Sequence, residues 1–432
     1  MKAKWYTMLL VMLLTYINGP FFFVGITPLF RVFYYGISIL PLFLAMYIGF
    51  SADLETRFFL WQFLFLFCCI LLVQLVTFAF DFAYFGAFTG SLMGIFGALS
   101  VFAIHRYLFS RKKIHIGYRE IMLDAAVLYV LGTIIFLCFP SLRLFWTSIL
   151  VIKTSATDEL MNVVEYITRF GFAGFSGFGF AFWMTSCTVV FCYMYINREL
   201  KESKARLYIA FLLMGSFFYG RTGFVVVVLF LGMLVMHSLF QRRVKLFRFF
   251  MLLIAFFIAL GCALYFSVPE IQPFIDWLLE PVFNYIDSGN VQSVSTNGLQ
   301  SFYRNFHPSD RTLLLGDGHW MDLSGNGYYG HTDVGFMRNI YYGGVFYMVV
   351  QYSLVFALIL FTALWMRRMR KSGSLFIPFL MLVNFIVFEL KGDIAFRFIK
   401  QYFPFYLSLL YEHSMEHSGM RRIFAEQAGE TA

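Results

Sequence analysis

The chain has 432 residues, of which 60% are hydrophobic, 21% aromatic and 13% charged. A water-soluble domain carries roughly 45–50% apolar and about 25% charged residues, so both departures point to lipid as solvent and exclude an ordinary soluble fold. The net charge of +9 does not signal nucleic-acid binding, because the basic residues sit in short segments between apolar runs, as in loops kept on the cytoplasmic side.

A helix needs roughly 20 apolar residues to cross the hydrocarbon core. Apolar runs of that kind predict membrane helices at 5–23, 30–50, 57–79, 82–108, 119–139 and 174–196, then at 207–219, 222–240, 246–267, 335–365, 374–390 and 396–412. Lys2 and Lys4 precede the first run as in a signal peptide, but no small-residue cleavage site follows, and the run reads as an uncleaved membrane helix. The seventh and eighth runs are short and meet at Tyr219-Gly220-Arg221, which suggests a tight helical hairpin. The expected fold class is therefore an all-α polytopic bundle of about twelve transmembrane helices, 1–432 forming a single unit.

Lys and Arg placement sets the orientation. Basic loops occur at Arg111-Lys112-Lys113 with Arg119, at Arg198 to Arg206, at Arg242 to Arg248 and at Arg367 to Lys371. Twelve spans counted from a cytoplasmic N-terminus put all four inside, together with Arg421 and Arg422 of the tail. Two long loops then face outward, 140–173 and 268–334. The first holds an amphipathic stretch, Leu144 to Phe170. The second holds eight acidic residues and only two arginines, Arg304 and Arg311. Its first part, Ile271 to Ile286, has helical periodicity. Its second part is rich in Gly, Asp, His and Tyr, as binding loops often are.

Small residues mark close contacts. Gly86, Gly90 and Gly94 form a stripe that suits helix packing. Gly171, Gly174, Gly177 and Gly179 mark either a flexible start to the sixth helix or a close backbone approach to a ligand. The six cysteines lie in or beside apolar runs, match no zinc or redox spacing, and read as small buried hydrophobes.

Charges at membrane depth each need a reason. Arg221 sits where a helix N-terminus begins, a combination that suits a phosphate, although an arginine snorkelling to the interface has the same sequence signature. The segment from Asp317 to Gly344 is the densest in unusual residues. Asp333 or His331 at the loop–helix border is placed to act as a general base, with Thr332 or Asp333 as a plain helix cap the alternative. Arg338, one turn inside the helix, is placed to clamp a phosphate. His319 and His331 lack the partners of a metal site, and no metal ligand set is assigned. Glu389-Leu390-Lys391-Gly392-Asp393-Ile394-Ala395-Phe396-Arg397 forms an outward tip whose charges either pair with one another or line a cavity.

Three local runs then carry a likeness: Leu315-Gly316-Asp317-Gly318, Thr332-Asp333-Val334-Gly335-Phe336-Met337-Arg338, and Tyr342-Gly343-Gly344-Val345. With the bundle size, Arg221 between two short helices, and a large outward loop before the last three helices, the chain resembles the O-antigen and capsular polysaccharide polymerases and the related O-antigen ligases. In that family the three runs correspond to a Gly-x-Gly turn, a Thr-Asp-x-Gly-aromatic run and a Tyr-Gly-Gly helix end.

The resemblance implies a GT-C-like membrane glycosyltransferase in the bacterial inner membrane, with both termini cytoplasmic. It would join undecaprenyl-pyrophosphate-linked oligosaccharide repeats at the periplasmic face, without cofactor, nucleotide sugar or nucleic acid. The bilayer, the lipid-linked oligosaccharide and a chain-length regulator are the partners so implied. Arg221, Arg338 and Arg304 would hold pyrophosphate, and Asp333 or His331 would act as base. Asp317, His319, Arg311 and Tyr328 would belong to the substrate loop, where Tyr303, Trp320, Tyr328 and Tyr329 would stack on sugars. The ligase His-Asn pair is missing, which favours polymerase over ligase. A lipid-linked oligosaccharide flippase or transporter is the alternative from another class.

Overall fold

The computed structural model describes residues 2–18, 85–110, 113–150, 170–172, 174–175, 177–240, 244–267, 272–289, 294–322 and 327–410. The second and third expected spans and most of the first long loop lie outside the described residues. The described chain is helical apart from its loops and one two-stranded ladder. In order come α1 (Lys2–Asn18), α2 (Phe85–Ser110), α3 (Tyr118–Cys138), α4 (Pro140–Ile149), β1 (Phe170–Gly171) and β2 (Gly174–Phe175). Then follow α5 (Phe178–Ile196), α6 (Glu202–Tyr219), α7 (Arg221–Phe240), α8 (Val244–Ser267), α9 (Gln272–Ser288), α10 (Val294–Arg304) and α11 (Asp310–Leu315). The last are α12 (Gly335–Arg368), α13 (Phe376–Glu389) and α14, which covers 395–410.

Four of these helices, α3, α5, α7 and α12, are long and apolar enough to cross a membrane. The pair around Arg221 is not short, as the apolar runs alone suggested: α6 has 18 residues and α7 has 20. The first turns of α6 are polar, with Glu202, Lys204 and Arg206, so hydropathy alone missed them. The tight turn falls at Gly220, whose φ of 153° favours glycine.

Helix α5 is the centre of the bundle. It is apolar on every side, as a fully enclosed helix should be, and 16 of its 19 residues are buried. It packs against α3, α6, α7 and α13. Its hydroxyls are kept from harm by donating to their own helix: Thr185 and Ser186 to Phe182 O, and Thr188 to Met184 O. A polar knot ties α5, α13 and α14 together, with Asn384 Nδ2 donating to Ser186 Oγ at 3.3 Å and to Tyr402 OH at 2.8 Å. Such bonds join helices where lipid supplies no hydrophobic drive for helix association. The short β1–β2 ladder pairs Phe170 with Phe175 and Gly171 with Gly174, an addition to the all-α expectation. It delays the start of α5 to Phe178, and a Cβ on Gly171 would meet the Tyr129 ring.

The long acidic loop is built onto a break in α12. The Tyr-Gly-Gly run ends the first stretch of α12: Gly344 (φ 73°, ψ −177°) leaves helical geometry, and a second helical stretch then runs on to Arg368. A residue outside helical geometry frees the carbonyls one turn earlier. Asp317 N–H donates to Tyr341 O at 2.7 Å, and Gly318 N–H donates to Tyr342 O at 3.0 Å. A Cβ on Gly344 would lie 2.2 Å from Leu314 O, and one on Gly316 would lie 2.4 Å from Tyr342 O. The Gly-Asp-Gly run and the Tyr-Gly-Gly run are thus two halves of one docking joint. Gly344→Ala should therefore destabilise the protein by about 3 kcal/mol, from a glycine-only backbone plus a backbone clash. A fall in the melting midpoint of the detergent-solubilised protein measures it, and an unchanged midpoint refutes it.

Candidate functional site

The site lies where the N-terminal turns of α12, the tip between α13 and α14, and the start of α5 converge. Three glycines allow that approach. A Cβ on Gly335 would lie 2.3 Å from Glu389 Oε1 and 2.8 Å from Gly392 O, and one on Gly392 would lie 2.6 Å from the Phe178 ring. A Cβ on Gly179 would lie only 1.8 Å from Arg397 Nη1. Of the two readings of that glycine cluster, Gly179 is a close approach, with the guanidinium of Arg397 as the neighbour.

Glu389 is the hub of this junction. It is 4% exposed. Its Oε1 accepts from Asn339 Nδ2 at 3.1 Å and from Tyr352 OH at 2.6 Å, and its Oε2 accepts from Ile394 N–H at 2.9 Å. Hydrogen bonds hold this carboxylate, and it in turn fixes the tip against α12. Tyr303 adds a further tie by donating to Leu390 O at 3.1 Å.

Around the hub stand the cations. Arg338 is 8% exposed and sits between two rings, its Cζ 4.0 Å from the centre of Trp320 and 3.5 Å from that of Tyr328. Each such contact contributes about 0.5–2 kcal/mol. Trp320 and Tyr328, expected to stack on sugars, instead grip this arginine. Its Nε is buried without a hydrogen-bond partner, as is Oδ1 of Asp393. Burial pushes the Asp393 carboxyl up, and the guanidiniums of Arg338 and Arg397 pull it back down.

Arg397 and Lys400 follow on α14, one helical turn apart and so on one face. The side chain of Arg397 is exposed and that of Lys400 partly exposed. Arg338 and Arg397 are close enough for their like charges to act on one another, as are Arg397 and Lys400. Gly94 of α2 lies against the Lys400 side chain, 3.2 Å from Cδ for an added Cβ. This member of the glycine stripe makes room for a lysine and not for another helix backbone.

The residues singled out from sequence do not all meet. Arg338 lies inside the convergence. Asp333 and His331 are exposed at its border, His331 with a left-handed backbone (φ 50°). Neither Thr332 nor Asp333 caps α12: its N-cap position is Val334, and Thr332 Oγ1 accepts from Val334 N–H at 3.2 Å. Asp317 and His319 serve the loop itself. Asp317 accepts from Thr312 Oγ1 at 2.9 Å and from Tyr329 OH at 3.2 Å, while the His319 ring leans on Tyr329 at 5.3 Å. Arg304 and Arg311 are exposed at the end of α10 and the start of α11. Arg221 is paired with Glu280 of α9 at 2.6 Å, and its neighbour Thr222 ties it to the tip, accepting at Oγ1 from Lys391 Nζ at 3.0 Å.

Arg397 was visible in the sequence as part of a charged tip, while Lys400 was passed over. Its signal was available: a lysine inside an apolar run, three residues after an arginine. Compared with protein-family models, curated proteins and solved structures, the chain has no significant match.

Chemically, this arrangement suits a multiply charged anion. Two guanidiniums and an ammonium lie within reach of one another's charge beside an apolar bundle, where attraction for an anion is stronger than in bulk solvent.

Proposed function

We propose that this protein is an inner-membrane glycosyltransferase that polymerises undecaprenyl-pyrophosphate-linked oligosaccharide repeats at the periplasmic face. Its full bundle would have about twelve spans and a GT-C-like plan. The observation that carries the reading is the set of cations, Arg338, Arg397 and Lys400, whose like charges act on one another within an apolar helical bundle. A lipid diphosphate has both the charge and the apolar tail that such a place demands.

In the reaction a sugar hydroxyl of one repeat attacks the anomeric carbon of another glycan. The bond from that carbon to the pyrophosphate oxygen breaks, and undecaprenyl pyrophosphate leaves with the electron pair. Charge on the leaving group grows along this path, so fixed guanidiniums stabilise the transition state more than the ground state. Asp333 or His331, exposed at the outward border, is the group proposed to take the hydroxyl proton. A transporter of the same lipid is the second reading, favoured by Lys400, which sits more than a turn inside α14.

The test uses a strain lacking the protein, complemented by wild type or by Arg338→Ala. Wild type should restore a ladder of long surface glycan, and Arg338→Ala only single repeats, at equal membrane levels. An unaltered ladder with Arg338→Ala overturns the reading. Long polymer accumulating on undecaprenyl marks a ligase instead, and repeats trapped on the cytoplasmic side mark a flippase.

A further inference from the structure

Helix α9 has two unlike sides. Ile275, Leu279, Val282 and Ile286 recur at helical spacing along one of them, while Asp276, Glu280, Asn284 and Asp287 occupy the other. The apolar stripe begins against protein, with Ile275 only 8% exposed, and then runs out uncovered: Val282 is 51% exposed and Ile286 71%. Four residues separate it from the end of α8, an apolar helix against which it packs. A helix with this pattern, joined by a short link to an apolar helix, suits the headgroup layer with its stripe in the acyl boundary. From its acidic side Glu280 reaches Arg221, the first residue of α7, at 2.6 Å. Both side chains are partly exposed, at 15% for Arg221 and 21% for Glu280, so this ion pair stays open to exchange.

We infer that α9 guards the lipid side of the site, riding on outer-leaflet lipid by its uncovered stripe, and that Glu280 holds Arg221 until the diphosphate of an arriving lipid takes its place. This rests on the lipid-diphosphate reading above and adds to it a lateral gate with a built-in competitor. A carboxylate and a diphosphate oxygen seek the same guanidinium fork, so one excludes the other. Carrying Glu280 away from Arg221 also loosens α9 from the turn between α6 and α7, along which a lipid tail passes.

The experiment titrates the full-length protein in phosphatidylcholine nanodiscs with undecaprenyl pyrophosphate and, separately, with inorganic pyrophosphate. Glu280→Gln should bind both about tenfold more tightly than wild type, because the competing charge is gone and the side-chain size is kept. A fluorescent non-natural amino acid at position 286 provides a second reading. Nitroxide lipids labelled at headgroup depth should quench it, and undecaprenyl pyrophosphate should change that quenching in wild type and not in Arg221→Gln. Equal or weaker binding by Glu280→Gln, in protein with an unchanged melting midpoint, overturns the competitor. Absence of quenching overturns the placement on lipid. Failure of wild type to bind either diphosphate overturns the parent reading and this inference with it. Tightening toward inorganic pyrophosphate alone separates a soluble anion from a lipid headgroup and removes the gate.

Discussion

Arg397→Ala is expected to reduce glycan polymerisation to about 1% of wild type or less, the loss typical when one fixed charge-stabilising donor is removed. The side chain is exposed, and its guanidinium rests on the bare backbone of Gly179. Its charge offsets the burial of Asp393, so the variant should reach the membrane but melt somewhat below wild type. Arg397→Lys keeps the charge and loses the fork, and should retain an intermediate rate with the melting midpoint restored. Lys400→Ala should lose about tenfold, since an ammonium is a single point charge. Glycan length on gels, at matched membrane levels, reads all three. Full-length polymer from Arg397→Ala would remove this arginine from the reaction.

The second large effect concerns stability. Glu389→Ala should lower stability by about 3–5 kcal/mol, because three buried donors, Asn339 Nδ2, Tyr352 OH and Ile394 N–H, lose their acceptor together. That corresponds to a fall in melting midpoint on the order of 5 °C for a chain of this length. Glu389→Gln is informative because it keeps the shape. Its amide NH2 must face either Ile394 N–H, donor against donor, or Asn339 Nδ2 and Tyr352, where only the Tyr352 hydroxyl can turn to accept. It should recover only part of the loss. A glutamine variant as stable as wild type would show that shape and not the carboxylate organises the tip.

The two effects differ in kind. One variant chiefly removes a cation, and the other loosens the joint that holds Arg338 and the tip together. Melting and glycan length of both variants and of the double variant measure how strongly hub and cations are coupled, as groups that both act on Asp393 should be.

The helices themselves were legible in the sequence, because hydropathy over some twenty residues is a local property and lipid demands it of each span separately. The turn at Gly220 was legible for the same reason. The start of α6 was not, since its first turns are polar and leave no mark in an apolar window. Glycine runs were readable as close contacts but not as contacts with what. Gly316 and Gly344 share a joint that only the fold brings together, and Gly94 and Gly179 border Lys400 and Arg397 from far along the chain.

The site was legible only in part, for an electrostatic reason. A charge inside an apolar run announces that it has a purpose, which picked out Arg221 and Arg338. Which charges share one space depends on helix neighbours, and the chain alone does not state them. Thus Arg221 was grouped with Arg338, whereas the fold pairs it with Glu280 of α9. Trp320 and Tyr328 looked like sugar platforms, whereas the fold sets both rings on Arg338. By itself the sequence determined an apolar helical membrane protein with a long acidic loop. The tertiary structure decided that α14 brings Arg397 near Arg338, with Lys400 one turn on, because contacts across a bundle are set by packing and not by spacing along one helix.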